Sequence, residues 1–114
     1  MNNEMYLKNI PHATVLALDR LVGYEPGKIV SLTLVQRKEL GITLFAIDKG
    51  EKIGGHAANG DAMVTVLDGT AEITIGETPY TVSAGESIVM PANIRHALSA
   101  VEAFKMLLVV VKPV

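Results

Sequence analysis

From Val30 onward, apolar and polar positions alternate in short runs. Val30, Leu32 and Leu34 are separated by Ser31 and Thr33, and Ala71, Ile73 and Ile75 by Glu72 and Thr74. A period of two puts successive side chains on opposite faces of a β-strand, so each run predicts a strand with one buried face. The runs 42–47, 63–67 and 88–90 are instead apolar at nearly every position. That pattern predicts strands covered on both sides, by an interior on one and by a second layer or subunit on the other. Met106 to Val111 is rich in β-branched residues and far too short to cross a bilayer, so it reads as another buried strand.

Turn signals separate these runs at intervals of roughly eight to twelve residues, the spacing of a sandwich or barrel. Glu25-Pro26-Gly27, Gly76-Glu77 and Ala84-Gly85-Glu86 are such signals. Asp68-Gly69 reads as the firmest hairpin, because this dipeptide accepts the positive φ angles of a tight turn. The apolar stretch 14–22 reads as an N-terminal strand, with a single turn of helix as the alternative. The chain thus divides into an arm, 1–29, able to act as an edge or exchanged strand, and a β-barrel, 30–114.

Composition narrows the partners. A chain of 114 residues fits one domain with one core. Charged residues make up 19%, below the roughly 25% of an average soluble domain, so the surface is short of charge. Part of the apolar excess is then expected in a subunit interface, and the expectation is a homodimer. The net charge is −2 with no long run of either sign, which argues against a nucleic-acid partner. No cysteine is present, which leaves His, Asp and Glu as the strong metal ligands. The start, Met1 to Lys8, has neither the basic beginning nor the apolar core of a signal peptide, so a cytoplasmic location and no membrane partner are expected.

Two segments bring turn glycines and histidines together. The first runs from Gly50 through His56, Ala58, Asp61 and Ala62 to Gly69, and the second from Gly85 through Pro91 and Asn93 to His96. These resemble the two motifs of the cupins: Gly50, His56 and Gly69 fall in register with the first, and Gly85, Pro91 and His96 with the second. The resemblance covers roughly residues 30 to 111 and implies an all-β, antiparallel double-sheet barrel of jelly-roll type. It also implies where chemistry is altered, since Ala58 and Ala62 stand at the family's second His and its Glu. Asn93 replaces a motif glycine, a mild change because Asn tolerates left-handed backbone angles.

Parity along a strand puts Ala58 on the face of His56, and a partner strand can present His96 opposite, so two imidazoles would converge inside the barrel. Two neutral imidazoles supply no negative charge to offset a divalent cation, so a transition metal held there would bind weakly. Asp61 would restore that charge if the turn before it brought its side chain inward; otherwise it closes the turn. His56 and His96 are thus read three ways: polar residues hydrogen-bonded in a hydrated cavity, a weak metal site, or a metal-free ligand or proton-transfer site. His12 has no ligand spacing to any other residue and reads as a surface residue.

Two alanines in place of larger groups enlarge the cavity and make it more apolar, with room for water or a small organic ligand. Met63, Met90 and Met106 either line or fill it, and Arg95 and Lys105 are either cations at its mouth or ordinary solvated charges. The functional expectation is a small barrel that binds a small-molecule ligand in a pocket of His56, His96, Ala58 and Ala62, with weak or no metal binding. The alternative is a metal-dependent oxidoreductase or isomerase using His56 and His96 with Asp61 or water. A protein-interaction domain working through its outer surface is a third reading.

Overall fold

A computed structural model describes residues 5–114, with His56 described by its backbone alone. Eight strands are formed among these residues: β1 (Ile29–Gln36), β2 (Leu40–Ile47), β3 (Lys52–His56), β4 (Asp61–Ile75), β5 (Thr78–Ser83), β6 (Ser87–Met90), β7 (His96–Ser99) and β8 (Phe104–Val111). Their pairings are antiparallel. The fold is all-β, as the alternating runs predict, and of the jelly-roll type that the resemblance implies. No helix of the described residues is long and apolar enough to cross a membrane.

The long strand β4 belongs to two sheets. Its first half pairs with β8 and β6, completing the sheet β1-β2-β8-β4-β6, and its second half pairs with β7 and β5, completing β3-β7-β4-β5. The crossing lies at Asp68-Gly69, where the register with β8 shifts and Gly69 adopts φ +74°. The hairpin expected there is therefore corrected. The positive φ is used to bend a continuing strand from one sheet into the other, a role that bulges and glycines commonly take at corners. A side chain at Gly69 would collide with the carbonyl oxygen of Ala103. Chain reversal comes instead at Gly76-Glu77, with Ile75 paired to Thr78.

Two apolar clusters follow from this layering. Between the sheets lie Val64, Val66, Ala71, Ile73, Phe104 and Met106, all essentially inaccessible. On the outer face of the larger sheet, Leu34, Leu44 and Ala46 are covered by Val22, with Ile10, Leu18 and Leu21 packed alongside. Strand β2 is thus covered on both faces, as its continuous apolar run predicts, and its second layer is the arm of its own chain. Burying an aliphatic side chain of this size contributes about 1.5–3 kcal/mol. In β1 the register shifts between Thr33 and Val35, and both Leu34 and Val35 are buried. The runs 63–67 and 88–90 depart from expectation: Met63 and Val89 point outward and are 40% and 50% exposed.

Residues 1–4 of the arm lie outside the described residues. The strand expected over 14–22 is replaced by one turn of 3-10 helix, Leu18–Arg20. Periodicity alone does not separate strand from helix in so short a stretch, and the apolar side of the turn is directed onto β2. The arm is fastened at several points. Lys8 N–H donates to the Leu34 carbonyl at 2.8 Å, Tyr24 Oη donates to Asp68 at 2.6 Å, and Lys105 Nζ donates to the Asp19 carbonyl at 2.7 Å.

Candidate functional site

His56 ends β3 and His96 begins β7, and the two stand opposite each other in the antiparallel register. A bulge creates this pairing. Between Gly54, which faces Ala97, and His56, which faces His96, β3 carries an extra residue, and Gly54 and Gly55 adopt φ +106° and +88°. These left-handed angles suit glycine alone, and a Cβ on Gly54 would meet the His96 carbonyl oxygen at 2.7 Å. Without the extra residue Gly55 would face His96. The two histidines are thus adjacent in backbone register, while the side chain of His56 lies outside what the structure describes. The His96 ring is half-buried, with Nδ1 3.4 Å from the Ile94 carbonyl oxygen.

His96 borders a partly open cavity of about 230 Å³ between the two sheets. Its deep wall is formed by Met90, Leu98 and Met106, all buried, together with Phe45 and Ile53. Ala58 and Ala62 both border it, Ala62 from the inward face of β4 and Ala58 from the loop before it. Where the resemblance leads one to look for ligating side chains, the wall therefore presents methyl groups. Leu108 and Val110 continue the wall along β8, and Lys112 stands beyond them at the exposed end.

Lys112 was missed in the sequence. The signal that would have found it is parity, since the inward positions 108 and 110 lead to 112. Its position is fixed by Gly60: a Cβ there would stand 2.7 Å from Lys112 Cγ and 2.6 Å from the Val111 carbonyl oxygen. Lys112 N–H donates to the Glu39 carbonyl at 2.9 Å.

Asp61 lies outside the cavity. Strict alternation along β4 buries Ala62 and exposes Asp61, whose Oδ1 accepts the Ala92 N–H at 2.8 Å. The turn before it does not break this parity, so the inward placement considered for Asp61 is corrected. The carboxylate instead ties two loops together, helped by the Asn93 N–H, which donates to the Ala58 carbonyl at 2.6 Å. Asn93 takes φ +63°, the left-handed angle its motif position calls for. His12 is exposed, with Nε2 2.9 Å from the Leu7 carbonyl oxygen.

Three alternatives left open by the sequence are decided. Met90 and Met106 line the cavity but Met63 does not, because its parity on β4 is outward. Lys105 faces the arm, its Nζ 5.0 Å from the centre of the Tyr24 ring, and Arg95 is exposed and away from the cavity lining. Among the described residues, the Lys or Arg that borders the cavity is Lys112.

The donor set of the described residues does not fit a divalent metal. Among the described residues no group of three or more His, Cys, Asp or Glu is placed to hold one. The cavity lining among the described residues includes His96 and Lys112 and no carboxylate. Catalytic metal sites normally use three protein ligands around an open position, and a neighbouring ammonium opposes the cation's charge.

Comparison with known proteins gives a consistent result. The sequence pattern of the family described as Cupin domain matches residues 43–112. A conserved protein of unknown function from Streptococcus pyogenes is 58% identical over 99% of each chain, with a TM-score of 0.96. The Cupin 2 conserved barrel domain protein from Leptotrichia buccalis is 48% identical over 82% of this chain, with a TM-score of 0.80, and the match spans 46% of that longer chain. A cupin superfamily protein from Desulfitobacterium hafniense is 28% identical over 94% of this chain and 98% of its own, with a TM-score of 0.89. No curated protein matches the chain.

Proposed function

The chain belongs to the cupin family, and on that premise we propose that it is a small-molecule-binding barrel whose pocket is the apolar cavity between its sheets. The carrying observation is that Ala58 and Ala62 border this cavity while Asp61 faces away. A concave, mainly apolar space with few polar groups is the common form of a small-ligand site. The metal-dependent oxidoreductase or isomerase reading needs donors that the described wall lacks. The test is protein produced without a histidine tag, assayed for metal and titrated with small apolar probes while the Met90 and Met106 methyl resonances are followed. Metal well below one equivalent, with probe-dependent shifts at both methyls, is expected. A full equivalent of tightly held metal, or probes that leave both methyls unmoved, overturns the reading.

The same reading includes a homodimer. Its support is an apolar row across the outer face of the larger sheet, where Met63 is paired to both Val89 and Val109, and Val111 lies on the same face. Met63, Val89 and Val111 are 40%, 50% and 56% exposed, more apolar surface than isolated exposed residues would account for.

A further inference from the structure

Resting on the pocket reading above, we infer that the ligand is a small organic monoanion, a carboxylate with a compact aliphatic or aromatic body, whose head lies by Lys112. Charge distribution carries the inference. Among the described residues the cavity is lined by carbon-rich side chains apart from His96 and Lys112, with no Asp or Glu. Lys112 forms no ion pair among the described residues, whose salt bridges join Lys28 to Glu25 and Lys49 to Glu102. The carboxylate of Asp61, in the strand that carries Ala62, is engaged with the Ala92 N–H and points outward. An ammonium beside an apolar wall attracts an anion and repels a cation, and a charged head is desolvated at lower cost when it stays at an open mouth.

Size sets the body. A cavity of about 150 Å³ holds benzene, so one of about 230 Å³ takes about nine non-hydrogen atoms. A dianion such as a phosphate ester is disfavoured, because its recognition needs several converging donors and Lys112 is the one Lys or Arg at this wall among the described residues. The Lys112 backbone is held by its bond to the Glu39 carbonyl and its stem passes over Gly60, so the residue stays at the cavity rim while its exposed side chain can reach a bound head.

The test uses the full chain without a tag, at neutral pH and constant ionic strength. Hexanoate, 1-hexanol and hexylammonium, of matched apolar length and different charge, are titrated against the Met90 and Met106 methyl and His96 ring resonances. Hexanoate is expected to bind about tenfold more tightly than hexanol, the size of one charge-assisted contact, with hexylammonium weakest. In Lys112→Gln the preference for hexanoate falls to about one while hexanol binding stays unchanged, and Lys112→Arg keeps the preference. Hexanol binding as well as hexanoate, or a preference that survives Lys112→Gln, overturns the inference and leaves the pocket reading standing. Failure of all three probes to move the two methyls overturns both.

Discussion

A Cβ built on Gly54 would stand 2.7 Å from the carbonyl oxygen of His96 and 3.0 Å from the Cα of Ala97. Both obstacles are backbone, and the φ of +106° is itself a glycine conformation. Gly54→Ala is therefore expected to destabilise the barrel by about 2–4 kcal/mol, combining left-handed strain with a backbone clash. Urea unfolding reads the loss, and an unchanged midpoint would mean that β3 and β7 do not cross this closely.

Gly69 and Gly27 offer a paired comparison. Both adopt positive φ, +74° and +69°, but a Cβ at Gly27 meets open space while one at Gly69 runs into the Ala103 carbonyl. Gly27→Ala is expected to cost about 1–2 kcal/mol, the conformational term alone, and Gly69→Ala a further ~1–3 kcal/mol. Equal losses in thermal unfolding would count against a sheet-to-sheet corner pressed onto the start of β8.

Tyr24 fastens the arm to that corner through Asp68. Burial, then the hydrogen bond to Asp68 and the charges of Asp68 and Asp19, push its phenol pKa up from the ordinary value. The unfolded chain releases this proton at about pH 10, while the folded chain keeps it to higher pH. The folded state then binds more protons, so the associated stability is complete below about pH 10 and declines above it. Absorbance titration of the three tyrosines should show a late component that disappears in Tyr24→Phe. That variant should also lose about 1 kcal/mol at neutral pH, a modest figure because the site is partly exposed. A titration without a late component would contradict the clasp.

The exposed row on the larger sheet bears on assembly. Met63→Lys and Val89→Lys place charge on an outward face without touching the interior, so folding stability should change by less than about 0.5 kcal/mol. Sedimentation should find the parent chain dimeric and the doubly substituted chain monomeric. A monomeric parent, or a dimer indifferent to both lysines, would remove this face from the assembly.

Much of the barrel was legible because a strand's period of two is local. Val30–Leu34, Ala71–Ile75 and Met106–Val111 each announced a strand from their own side chains, and Gly76-Glu77 announced its reversal. Asp68-Gly69 was misread because positive φ serves a tight turn and a sheet corner alike. Only the partners of Val66 and Ala71 on either side distinguish them. Motif spacing, a property of the chain, singled out Ala58, Ala62 and His96, which border the cavity, and His56, whose backbone pairs with His96.

What the sequence determined by itself was the succession of strands, the places where glycine is required, and the alanines among the motif positions. Tertiary structure alone decided that the arm covers β2, that Asp61 faces out while Met90 and Met106 face in, and that Lys112 borders the cavity. The physical reason is range. Alternation and turn chemistry act between neighbouring residues, whereas the occupant of a cavity wall depends on registers set between strands far apart in the chain.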